Sequence, residues 1–116
     1  MKEQRIKEII LILVMLGILS SPKIAFSNEM PVFTIIIKDH QFDPKELVIP
    51  VNQKVKVIIN NQDPTAEEFE SYDLNREKIV TGNKQAILFI GPLKAGVYKY
   101  FGEFNQKTAQ GVIIAK

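Results

Sequence analysis

KVKVIIN, residues 54–60, sets Val55, Val57 and Ile59 at alternate positions with Lys54 and Lys56 between them. Successive side chains of a strand point to opposite faces, so this pattern turns three β-branched residues toward a core and two lysines toward water. Similar segments lie on either side. VFTIIIK (Val32–Lys38) is rich in the β-branched and aromatic residues that suit a pleated, half-buried surface. Glu46–Val51 follows a turn at Asp43-Pro44. Ala86–Ile90 and Val97–Phe101 are separated by Gly91-Pro92 and Ala95-Gly96, and GVIIA (Gly111–Ala115) comes last. Short strands with turn residues at roughly eight- to twelve-residue spacing predict an antiparallel sandwich or barrel. Glu67–Lys78 is the one stretch open to a helical reading. It would stack Asp73 over Glu77 one turn apart, and like charges in that register disfavour a helix. At most a turn or two is expected there.

The first 27 residues read differently from the rest. Lys2, Arg5 and Lys7 precede the apolar run IILILVMLGIL (Ile9–Leu19), followed by Ala25-Phe26-Ser27. Eleven apolar residues fall short of the roughly 20 that span a bilayer as a helix. The order of charged, apolar and small residues is that of a cleavable export signal, with the mature protein starting at Asn28. An uncleaved membrane anchor is the alternative. The expected destination is the periplasm or the exterior.

Without residues 1–27, which hold Lys2, Arg5, Lys7, Lys23, Glu3 and Glu8, the chain's 15 basic and 13 acidic residues become 11 of each. That balance gives no nucleic-acid footprint. Residues 28–116 suffice for one domain with a single core. The chain has no cysteine, so neither disulfides nor thiolate ligands are available to it.

Several motifs resemble the bacterial cupredoxin-like family, in particular its EfeO-type members associated with iron uptake. Lys38-Asp39-His40-Gln41-Phe42-Asp43-Pro44 is similar to the family's opening DHxFxP, and Asn60-Asn61-Gln62-Asp63 to its NNQD strand end. Glu67-Glu68-Phe69-Glu70-Ser71 with Leu74 and Glu77-Lys78 resembles EEFES..L..EK. Gly91–Tyr98 resembles GPL.PG.Y, and Phe101–Phe104 with Thr108–Gly111 resembles FGEFH..TAQG, with Asn105 in place of the histidine. The resemblance covers Val32 to Lys116. It implies an all-β, cupredoxin-like Greek-key sandwich of about seven strands, and a periplasmic accessory protein that passes an iron or copper ion to a membrane iron permease or uptake component.

The same resemblance implies a departure. Ordinary cupredoxins hold copper with a His after the third strand and Cys, His and Met around the final hairpin. Here Glu68 resembles the occupant of the first His position, while Gly102, Asn105 and Ala109 stand where Cys, His and Met would be. A type-1 centre needs His₂Cys with a weak axial ligand, so a blue-copper electron carrier is excluded. The remaining candidate ligands are Glu68, Glu77 and Glu103, then His40 and Glu70, with Glu67, Asp73 and Asn105 nearby in sequence. Carboxylates and one imidazole suit iron, manganese or Cu(II) better than Cu(I). If Glu68–Ser71 is extended, Glu68 and Glu70 share one face and Glu67 lies on the other. The bland reading of the glutamates is a solvated acidic face, and of His40 a turn residue. Tyr98, Tyr100 and Gly102 share a face, where the two tyrosines read as core aromatics. No nucleophile elbow, phosphate loop or HExxH is present, so no enzymatic activity is expected. The competing reading is an interaction module that has lost its metal and docks on a membrane transport partner.

Overall fold

The computed structural model describes residues 29–116, and the expected export signal lies outside them. Nine strands and one 3₁₀ turn follow in chain order: β1 (Val32–Lys38), β2 (Gln41–Asp43), β3 (Glu46–Ile49), β4 (Val55–Asn61), β5 (Glu67–Ser71), β6 (Arg76–Val80), β7 (Gln85–Ile90), β8 (Gly96–Gly102), the 3₁₀ turn Glu103–Asn105, and β9 (Gln110–Ala115). They form two sheets, β2-β1-β4-β7 and β3-β9-β8-β5-β6. The architecture is the expected all-β sandwich.

The strand count exceeds the seven or so expected, and the difference has physical causes. β2 is three residues long, too short to carry a period, and β5 and β6 replace the turn or two of helix allowed for Glu67–Lys78. In β5, Phe69 and Ser71 follow Glu67 at a two-residue spacing and all three are buried. A strand thus gains a core face that the charge pattern alone does not reveal. The sheets are also mixed rather than antiparallel, since β1 runs parallel to β4 and β3 parallel to β9. The chain crosses between the sheets after β2, β3, β4, β6 and β7. Neighbours in a sheet are then often not neighbours in sequence, and no hairpin dictates their direction.

The core lies between the sheets. Ile35 and Ile37 from β1, Val55, Val57 and Ile59 from β4, and Ile113 from β9 are fully buried, as the alternation of KVKVIIN requires. Phe42, Phe69 and Tyr100 form its aromatic centre, with Phe69 and Tyr100 stacked at 4.7 Å and Phe42 edge-on to Tyr100 at 5.0 Å. Such contacts add about 0.5–1.5 kcal/mol each beyond the area they bury. β6 and β7 are edge strands. Arg76 and Lys78 of β6 lie on the core-facing side but remain exposed, and Arg76 reaches over to donate to the Phe89 carbonyl of β7. Inward charges of this kind keep an edge from recruiting another strand.

Candidate metal centre

β5 presents glutamates on both of its faces. Toward water, Glu68 and Glu70 lie on one side of the strand, and Glu70 is the register partner of Glu77 on β6. Single carboxylate oxygens of Glu68, Glu70 and Glu77 all come within 4.8 Å of one another. Among the described residues no lysine or arginine pairs with any of them. Partial burial first, and then the charge and hydrogen bond of Glu77 and the charges of Glu68 and Glu103, raise the Glu70 pKa above its ordinary 4.5. Three carboxylate oxygens held this close are the donor type that hard cations take.

The other expected ligands fall less close. Glu103 opens the 3₁₀ turn after β8. Its charge is felt at Glu70, but it stands outside the three-residue group. His40 sits elsewhere, at the second position of the two-residue turn between β1 and β2. Asp39 and His40 both have positive φ there, at 53° and 57°, the conformation a tight hairpin demands. Buried Asp63 stabilises that turn by accepting the Asp39 and His40 amides at 2.8 and 2.9 Å. His40 Nδ1 lies 3.6 Å from the same carboxylate.

The inward face of β5 holds Glu67, on the side opposite Glu68 as strand parity requires. Glu67 is 2% exposed. Its Oε1 accepts the amides of Glu68 and Phe104, both at 2.9 Å, and its Oε2 accepts the Asn105 side-chain amide at 2.7 Å. Gly102 and Ala109 close the space around it. A Cβ at Gly102 would lie 2.6 Å from the Glu67 Cδ and 2.6 Å from the Ala109 Cβ. The β5 residue that meets Gly102, Asn105 and Ala109 is therefore Glu67, one position earlier than the expected Glu68. The signal is present in two places: Phe69 fixes the inward parity of β5, and the small residues Gly102 and Ala109 leave room for a long buried side chain.

The model of the cupredoxin-like domain matches residues 8–115. The chain belongs to the cupredoxin-like domain family. A relative, the uncharacterized protein RP394 of Rickettsia prowazekii (strain Madrid E), is 51% identical over 80 residues; the match takes in 69% of this chain and 64% of that protein's length. Among solved structures, the domain is similar to the metal-binding domain of the Streptococcus pneumoniae D39 Cu(I)-exporting P-type ATPase CopA. That match has a TM-score of 0.68 at 10% identity and covers 79% of this chain and 91% of that one. It is also similar to auracyanin A, a blue copper protein of Chloroflexus aurantiacus, with a TM-score of 0.66 at 15% identity, covering 76% and 100%. At these identities the likeness is one of fold.

A type-1 copper does not fit this cupredoxin-like domain. The chain has no cysteine, the position that the resemblance gives to a thiolate is Gly102, its Cβ direction is occupied by Glu67, and the Glu67 carboxylate is already engaged by three donors. Among the described residues no buried side-chain polar atom lacks a partner that a metal could supply.

Proposed function

We propose that this cupredoxin-like domain binds a metal ion as cargo through Glu68, Glu70 and Glu77, with Glu103 close by, and serves as an accessory of iron or copper acquisition. The supporting observation is the convergence of three carboxylate oxygens within 4.8 Å, with no basic partner among the described residues. Oxygen donors on two strands of one sheet favour Fe, Mn or Cu(II) over Cu(I). The similarity of EFES…EK to EfeO-type proteins supports iron as the cargo and a membrane permease or larger uptake component as the recipient. The export-signal pattern of residues 1–27 supports a periplasmic or extracellular setting. The role is carriage rather than catalysis.

Calorimetry of residues 28–116 with Fe(III), Mn(II) and Cu(II) tests the reading. Glu68→Gln, Glu70→Gln and Glu77→Gln should each weaken binding by at least about ten-fold, or about 1.4 kcal/mol, with folding intact. Glu103→Gln should weaken it less, and His40→Gln tells whether the His40–Asp63 pair contributes. Unchanged affinity in the first three variants would sink the proposal.

One observation favours a second reading. Glu67 closes the interior position around Gly102, Asn105 and Ala109, as expected of a domain that kept the sandwich for docking on a membrane transport partner. Absence of ion binding in the same titration is the result that reading expects.

A further inference from the structure

The ladder between β5 and β8 ends at the pair Phe69 and Gly102. Continued by two residues, the register would set Glu67 opposite Phe104. The backbone does not continue it, because residues 103–105 turn into a 3₁₀ helix. Instead the Glu67 side chain accepts the Phe104 amide at 2.9 Å and the Asn105 side-chain amide at 2.7 Å. Its Oε1 also accepts the amide of Glu68, which anchors the carboxylate to its own strand. The loop otherwise closes on itself, with the Gly102 amide bonded to the Ala109 carbonyl and the Ala109 amide to the Asn105 carbonyl, both at 2.8 Å.

We propose that the Glu67 carboxylate is a fixed hydrogen-bonded cross-link that fastens the β8–β9 loop to β5 without a metal ion. Ionised acceptors make short, strong bonds to amides, and a buried carboxylate satisfied by several donors is a rigid junction. Gly102 is the small residue this junction requires, since a Cβ there would lie 2.6 Å from the Glu67 Cδ and 2.6 Å from the Ala109 Cβ. The consequence is a loop whose order does not depend on metal. The inference is independent of the surface carboxylates and stands whether or not they hold cargo.

A hydrogen-bond swap tests it, with every sample in EDTA so that a surface-bound ion plays no part. Asn105→Asp sets a second carboxylate against the Glu67 Oε2 and should lower Tm at pH 7 by at least about 5 °C. Glu67→Gln keeps an oxygen for the two backbone amides and should change Tm less. In the Glu67→Gln/Asn105→Asp double variant the introduced amide donates to the introduced carboxylate, and at least half of the loss should be recovered. Where Asn105→Asp does not fold, a folded double variant supports the proposal equally. The Phe104 amide of the EDTA-treated wild type should be protected from hydrogen exchange, and should lose that protection in Asn105→Asp. Asn105→Asp melting with the wild type, a double variant no better than Asn105→Asp, or a freely exchanging Phe104 amide in wild type would each overturn the proposal.

Discussion

Glu67 and Glu68 are adjacent in sequence and share one chemistry, yet the pleat of β5 sends them to opposite circumstances. Glu67 points into the sandwich and is met by two backbone amides and a side-chain amide. Glu68 points out and meets the carboxylates of Glu70 and Glu77. Burying a polar group is costly unless hydrogen bonds replace its water, and the inner carboxylate accepts three. The outer three keep part of their water and repel one another. One residue of register thus separates a structural anion from a candidate ion-binding group. The inner face carries stability, and the outer face is free to carry function.

The most severe test of this contrast is to truncate both neighbours. Glu67→Ala leaves the Phe104 amide, the Glu68 amide and the Asn105 side chain without their acceptor at a part-buried junction. The expected loss is about 3 kcal/mol, a fall in Tm of roughly 15 °C. Glu68→Ala should stay within about 0.5 kcal/mol of wild type, as surface changes generally do. Paired urea denaturation curves measure both. Equal losses would mean that the two faces of β5 are not divided in this way.

Much of the fold is legible in residues whose pattern is short-range and repeated. KVKVIIN announces β4 because three buried residues alternate with outward ones, and the turn residues around Ala86–Ile90 and Val97–Phe101 bound β7 and β8. The β5–β6 hairpin is harder to read, since three or more of the five residues in each strand are charged or polar and the core face of β5 includes a glutamate. The candidate site divides along the same line. That Glu68 and Glu70 share a face follows from strand parity, and Glu77, also an expected ligand, reaches them by cross-strand pairing with Glu70. The place of Glu67 depends on which residues lie opposite it across β8 and its loop, a long-range register that no local pattern encodes. His40 likewise owes its position to Asp63, which is 23 residues away.

Space around the inner carboxylate gives a second, smaller test. Gly102 has an ordinary extended backbone at φ −91°, so a side chain is barred there by packing alone. Gly102→Ala sets a methyl 2.6 Å from both Glu67 and Ala109, and overpacking of this kind costs about 1–3 kcal/mol. Gly96, at the far end of the same strand, is the control. The nearest atoms to a Cβ there would be those of the Tyr98 side chain, at an ordinary 3.6 to 3.8 Å, so Gly96→Ala should change stability by less than about 0.5 kcal/mol. Thermal melts of the two variants measure the difference. A tolerated Gly102→Ala would show that the inner junction is loose.

The smallest effect expected is on the outer face, and its sign is fixed by linkage. Partial burial and the charges of Glu77, Glu68 and Glu103 hold the Glu70 pKa above 4.5 in the folded domain, whereas in the unfolded chain it returns to the ordinary value. Between those two values the folded state binds more protons than the unfolded one, so stability falls as pH rises through that window and stays lower above it. At neutral pH the ion-free domain therefore carries a penalty at Glu70 that an uncharged side chain would remove. Glu70→Gln should melt slightly above wild type at pH 7 in EDTA, and the difference should vanish as the pH falls below 4.5. Melting curves of the two proteins from acid to neutral pH follow the effect. A Glu70→Gln variant less stable than wild type at pH 7 would mean that the outer carboxylates have stabilising partners of their own. The two faces of β5 would then differ in degree rather than in kind.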